Sequence, residues 1–276
     1  MAYGTVVADV VQSSVTGVSL GAGNATLLKN RLIDAGFIIN QRGYVSNTAL
    51  SAGTYAHDRW KAGASGCTYT FTQGSAGVPI VITITAGSLQ QVIEGCNMPD
   101  GGTFTLSWTG TAQGRVNGGG YSTSPLIVTG LTAGANCTVE FNTGTCSFPQ
   151  LEVGSSATGF EYVNYQTSLA NCQRYFQIYS KDGLMIGVGY AASSTAVNRW
   201  GFSLNQTMRS APTLTFNNIS MWSGSNTPAA TIGTNYSSIN YAQADVSVSG
   251  LGFGSTGAVA EAYINTSGSI QLSAEL

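Results

Sequence analysis

Short apolar runs, each ended by Gly, Pro, Asn or Ser within about a dozen residues, recur along most of the chain, and they leave few folds open. Ile33–Ile39, Cys67–Gln73, Ile80–Thr85, Gln90–Ile93, Thr103–Trp108, Leu126–Val128, Thr138–Phe141 and Gln150–Val153 are the runs of the first part. No helical period separates them, so the alternation of strand and helix that builds a parallel sheet is excluded and an antiparallel sandwich is predicted. Composition agrees: only 8% of residues are charged, too few to surface solvated helices, while 43% are hydrophobic, which excludes a disordered chain. The chain reads as all-β.

One stretch interrupts the pattern. In Gln150 to Ser180, the alternating strand Gln150–Val153 gives way at Gly154-Ser155-Ser156, and Leu169, Cys172 and Phe176 then recur at intervals of three and four. With Ser168 placed as a cap, this predicts a short amphipathic helix over residues 166–176. Strands resume after it, around Gln177–Tyr179, Leu184–Tyr190, Arg199–Leu204, Thr213–Phe216, Ser220–Trp222, Ala244–Val248 and Ala258–Ile264. The expected organisation is a sandwich at 29–165, the connecting helix, and a second small β domain at 177–276. The Gln150–Val153 strand is expected to close the sandwich, and the helix to hold the second domain against it. Residues 1–28 carry one charged residue, Asp9, and two short Val-rich runs. That is too little apolar area to fold alone, so they are expected to form an extended arm that attaches the protein or exchanges strands with a neighbour.

Ten basic against twelve acidic residues give a formal charge of −2, which offers no footprint for nucleic acid or an anionic membrane. No basic start leads into an apolar core, so a signal peptide is not expected, and no run reaches the roughly 18 apolar residues of a spanning helix. Cys67, Cys96, Cys137, Cys146 and Cys172 form no Cys-x-x-Cys pair and share the chain with one histidine, so no zinc site or other metal is expected. Buried thiols are the expectation, with a Cys137–Cys146 bridge across a hairpin left open.

Little here supports catalysis. His57 is the only histidine, and Asp58 would face away from it on a strand, so a loop or rim histidine is expected. The carboxylates Asp34, Asp58, Glu94, Asp100, Glu140, Glu152 and Glu161 show no spacing that pairs two across a cleft. Gly118-Gly119-Gly120 lacks the Lys and Ser/Thr of a phosphate loop. No cofactor is expected. Binding is easier to supply: Tyr121, in what reads as a mobile glycine loop over Gly114–Ser124, and Trp222, Tyr236 and Tyr241, around the loop Ser223 to Tyr241, could stack on sugar rings while neutral polar groups bond the hydroxyls. Packing is the competing role for each.

Several segments together resemble one family. They are Asn30–Phe37 with Gln41-Arg42-Gly43, then Asp58-Arg59-Trp60, then Gln90–Gly95, then Gln150-Leu151-Glu152-x-Gly with Phe160-Glu161-Tyr162 and the Leu169–Phe176 helix, and finally Leu272–Leu276. In this order they are similar to the jelly-roll module of bacteriophage tail-fibre and related virion appendage proteins. The resemblance implies an antiparallel jelly-roll sandwich, structural roles for Asp58, Arg59, Trp60, Glu152, Glu161, Cys172 and Arg174, and a location in the virion after synthesis in the host cytoplasm. The expected function is non-enzymatic: a tail fibre or tail-associated appendage that meets host-surface polysaccharide, forms a homotrimer and attaches to other virion proteins through its arm. The alternatives are a head fibre or capsid decoration protein and, third, a polysaccharide depolymerase.

Overall fold

The computed structural model describes residues 29–75, 77–181, 183, 185–191, 197–222, 226–228, 231–247 and 259–276, so the expected arm at 1–28 lies outside the described residues. The chain divides into two units at its helix, the first reaching Leu169 and the second running from Ala170 to Glu275. Both are antiparallel β structures.

The first unit contains β1 (Lys61–Phe71), β2 (Ile82–Ile93), β3 (Gly102–Thr109), β4 (Gly114–Val116), β5 (Leu126–Leu131), β6 (Cys137–Phe141) and β7 (Gly144–Val153). Their order is β4-β6-β2-β7-β3-β5, with β1 also paired to β2. Two strands turn the sheet on itself. β2 pairs with β7 at Ile82–Ile84 and with β6 at Leu89–Ile93, while β7 continues past β2 to pair with β3. The result is a nearly closed sandwich or barrel. β7 thus lies between β2 and β3 and joins them. Trp60, Tyr69, Phe104, Trp108, Phe141 and Leu151 fill the core, each such side chain contributing roughly 1.5–3 kcal/mol by leaving water.

Residues 33–39 make no strand, contrary to their apolar pattern. Asp34 and Phe37 sit at positive φ, 51° and 52°, which no strand tolerates. The segment is nevertheless buried, so side chains must satisfy its backbone. Gln91 accepts from the Ile33 amide and donates to its carbonyl, both at 2.8 Å. The Asp34 carboxylate takes the Ile38 amide at 2.8 Å, and the Trp60 indole donates to the Asp34 carbonyl at 3.0 Å. Asn30 accepts from the Leu32 and Leu151 amides.

His57-Asp58-Arg59-Trp60 is a tight turn rather than a strand, closed by the Trp60 amide on the His57 carbonyl, with Arg59 at φ 70°. Asp58 and Arg59 both reach nearby backbone, as expected. Asp58 accepts from the Gln41 amide and side chain and lies 3.6 Å from Arg42, whereas Arg59 donates to the Val92 carbonyl at 2.6 Å. His57 is fully buried, not on a rim. The Tyr69 hydroxyl takes the His57 amide and lies 2.6 Å from Nδ1. Burial favours the neutral ring, and the short contact ties it to Tyr69.

Gln150 and Glu152 are buried on β7 where alternation suggested solvent. They hold the irregular loop that follows. Glu152 accepts from the Thr158 amide and hydroxyl and from Gln150, Gln150 accepts from the Glu161 amide, and Glu161 accepts from the Asn30 amide. Phe160 and Tyr162 of this loop pack with Phe148 of β7 in one aromatic group.

The helix α1 spans Tyr165–Gln173. Its cap is Asn164, whose side chain accepts from the Thr167 amide at 2.9 Å, and Ser168 lies inside the helix. Phe176 falls beyond the end because it is drawn into β8 (Phe176–Tyr179), although it and Cys172 are both buried. The Arg174 guanidinium lies 6.0 Å from the Tyr175 ring.

The second unit contains β8, β9 (Met185–Ala191), β10 (Val197–Ser203), β11 (Thr213–Trp222), β12 (Asn226–Pro228), β13 (Thr231–Ser237), β14 (Tyr241–Ser247) and β15 (Val259–Ser273). Their order is β12-β11-β15-β9-β10-β14-β13, with β8 also paired to β15. β15 organises this sheet. Its first half pairs β9, its last residues pair β8, and β11 runs along its other side, so the expected pair Thr213–Phe216 and Ser220–Trp222 is one strand bulged after Asn217. Gln177 is fully buried and uses both ends of its amide, donating to the Gln173 and Gln206 carbonyls and accepting from the Asn205 amide.

No disulfide joins the five cysteines. Cys137 and Cys146 sit on β6 and β7, which do not pair with each other, so there is no hairpin to bridge. Four thiols are buried as expected; Cys96 is exposed. Burial pushes the Cys137 thiol up to about 11, so it stays protonated and unreactive near neutral pH.

Two outcomes follow for stability. Replacing Glu152 with Ala strands Gln150 and Thr158 and should cost about 3 kcal/mol in urea unfolding. Burial lowers the His57 pKa to about 4, with the Gln73 side chain opposing. The unfolded chain takes up this proton below about 6.5, so the contribution of neutral His57 is complete above that pH and is lost as pH falls toward 4, about 3 kcal/mol in all. Burial raises the Asp34 carboxyl instead, giving the opposite slope. Comparing wild type with His57→Gln cancels it, and the difference in acid sensitivity between pH 6.5 and about 4 should disappear in the variant.

Candidate functional site

Cross-strand register builds a polar row on the outer face of the first unit. Lys61 stands opposite Gln90, Gln90 opposite Glu140, and Glu140 opposite Arg115, across β1, β2, β6 and β4. Residues directly opposite share a face, so these four side chains line up. One position along, Gln91, Val139 and Val116 form the matching row and are buried.

The row is fixed by charge. The Arg115 Nε and Nη2 donate to Glu140 Oε2 at 2.8 and 2.6 Å, and the Ser88 hydroxyl donates to Oε1 at 2.5 Å. Glu140 in turn raises the Arg115 pKa by hydrogen bonding to the charged form. The Tyr121 ring packs against the guanidinium, 4.4 Å from centroid to Cζ. Desolvation, and after it the Glu140 charge, push the Tyr121 hydroxyl up. Lys61 is engaged elsewhere, donating to the Leu276 carbonyl.

Tyr121 is not in a mobile loop. Asn117 and Gly118 both have positive φ, 49° and 72°, and the Gly119 amide closes onto the Val116 carbonyl, which makes a tight hairpin turn. The hairpin is fastened twice to β6: the Asn117 amide donates to the Thr138 carbonyl, and its side chain accepts from the Thr138 amide, both at 2.8 Å. A backbone pairing of Gly114 with Ser122 closes its base.

Between this hairpin and the loop around Gly53 lies an open cleft of about 510 Å³. Gly53, Gly63, Gln90, Arg115, Asn117, Gly118, Thr138 and Glu140 line it, with Ala64. Its size is in the range of small-ligand sites. The lining holds one carboxylate and one guanidinium, already paired with each other. Gly63 sets the floor: a Cβ there would lie 2.1 Å from Ser88 Oγ and 2.8 Å from Glu140 Oε1.

The other expected contact residues lie apart from this cleft. Tyr241 opens β14 and is partly exposed; its ring crosses the neighbouring strand where Gly201 leaves room, since a Cβ there would meet the Tyr241 hydroxyl. Trp222 ends β11 as expected, Tyr236 lies on β13 rather than in a loop, and their side chains are outside those described. Of the carboxylates weighed for catalysis, only Glu140 reaches the cleft; Asp34, Asp58, Glu152 and Glu161 serve the buried networks, and Asp100 pairs with Arg31 at 2.9 Å. Among the described residues, no three His, Cys, Asp or Glu side chains gather to hold a metal ion, and no helix is long and apolar enough to cross a membrane.

Fold and site together define an antiparallel β protein with a polar surface cleft whose one carboxylate and one guanidinium are paired with each other. Comparison with family models, with curated proteins and with solved structures returned no match for this chain.

Gly63→Ala should disturb the cleft more than the fold around it. Separating Ser88 from Glu140 is expected to cost about 1–3 kcal/mol and to shift the amide signals of Ser88, Arg115 and Glu140 in an NMR spectrum, where Ala64→Ser, at an exposed position, leaves both unchanged.

Proposed function

We propose that the protein is a non-enzymatic structural protein of a bacteriophage virion, a tail fibre or tail-associated appendage that contributes to recognition of host-surface glycans. The first unit, in this reading, is a jelly-roll module, the assembly is a homotrimer, and residues 1–28 attach it to other virion proteins. The observation that carries the recognition half is the cleft itself. Polar side chains from three strands and a doubly fastened hairpin are held ready for a polyhydroxylated ligand, and an aromatic ring packs on the Arg115 guanidinium. A single carboxylate, already bound to Arg115 and Ser88, offers no second acid for hydrolysis across a glycosidic bond.

The virion half is supported by the segments that resemble appendage proteins. Far apart in sequence, they meet in one buried network: Asn30 with Leu151 and Glu161, Ile33 with Gln91, Trp60 with Asp34, and Arg59 with Val92. Residues that cooperate in this way are what a shared fold would retain.

Purified protein added to host cells should bind them and reduce phage adsorption, and antibody labelling of intact virions should place it on the tail. Absence of cell binding would remove the recognition role. Labelling of the capsid shell would replace the tail assignment by a head fibre or decoration role.

A further inference from the structure

We infer that the cleft between the Asn117-Gly118 hairpin and the Gly53 loop takes an uncharged sugar chain, not an acidic one, and that Glu140 is the residue that makes this choice; the inference rests on the glycan-recognition reading above. A site for an acidic sugar needs a cation whose charge is available. Arg115 is the only cation in the lining, and it spends two of its donors on Glu140 Oε2. Lys61, the next cation along the row, donates to the Leu276 carbonyl. A carboxylated sugar entering here would meet a neutralised guanidinium with a carboxylate beside it, and the local charge sum gives it no attraction.

Sugar hydroxyls find a different surface. A carboxylate that already accepts from Ser88 and Arg115 is held in one orientation, and a sugar hydroxyl donating to it as a third partner forms a charge-assisted bond without desolvating a new ion. Thr138 and Gln90 lie on the same face beside Glu140 and contribute neutral donors and acceptors. At Gly53 and Gly118 a Cβ would project into open space, so the absence of side chains there keeps both walls low and lets an extended chain pass rather than a single capped ring. Tyr121, packed on the guanidinium, is a positioning residue for Arg115.

The test measures binding of the full-length protein to matched panels of neutral hexose and N-acetylhexosamine oligosaccharides and of uronate-containing ones, at low and at high salt. A neutral member should bind with affinity independent of salt. Binding should fall at least about tenfold in Glu140→Gln and in Thr138→Val, the latter close in size and lacking only the hydroxyl, while circular dichroism shows both variants folded. Preference for the uronate panel, weakened by salt and lost in the same variants, would overturn the uncharged-ligand inference and leave glycan recognition at this cleft standing. Binding to neither panel, or binding that both variants retain, would overturn the site and the inference together.

Discussion

The first unit depends on a buried stretch that belongs to no sheet. Residues 30–39 cross the core with left-handed kinks at Asp34 and Phe37, so apart from the Arg31 amide on the Leu151 carbonyl no strand ladder satisfies their amides and carbonyls. Each such group left bare in the interior would cost about 1–3 kcal/mol. Asn30, Asp34, Gln91 and Trp60 provide the missing bonds, and in doing so they tie β2, β7 and the His57–Trp60 turn to one another. The aromatic core then packs against a backbone that has a single arrangement available. Polar groups specify the arrangement, and apolar burial stabilises it.

The cleft is a consequence of the same sheet. Because β2 is anchored from below by Gln91, its neighbour Gln90 must face outward, and register carries that orientation to Glu140 and Arg115. The hairpin bearing Asn117 adds a wall that is fastened to β6 on its own hydrogen bonds. Little rearrangement remains for a ligand to impose, which lowers the ordering cost of binding. The price appears at Gly63, where any side chain would part Ser88 from Glu140.

Much of this was legible beforehand, and the exceptions have physical causes. Punctuated apolar runs gave most of the strands of both units, though β4, β12 and β13 fall in stretches that read as loops, and Trp60 was expected in the core, where it lies. Residues 33–39 misled because a buried irregular segment and a buried strand have the same composition; only the positive φ values separate them. Gln150 and Glu152 alternate with Leu151 and Val153 like a half-solvated strand, but the loop that covers them comes from later in the chain. His57 reads as a rim residue until Tyr69 supplies its partner. At the cleft, Tyr121 and Glu140 were visible as residue types, while Arg115, Gln90 and Thr138 were not, because register across three strands brings them together. One local signal was overlooked: Asn117-Gly118 is the dipeptide that type I′ hairpins favour, and it fixes what had read as a mobile loop.

The most direct measurement is an amide NMR titration of the protein with a neutral oligosaccharide that it binds. The account predicts that shifts concentrate at Gly53, Gly63, Gln90, Asn117, Gly118, Thr138 and Glu140, with the buried network around Asp34 unmoved. Shifts centred instead on the aromatic group of Phe148, Phe160 and Tyr162, or on β14 around Tyr241, would contradict it.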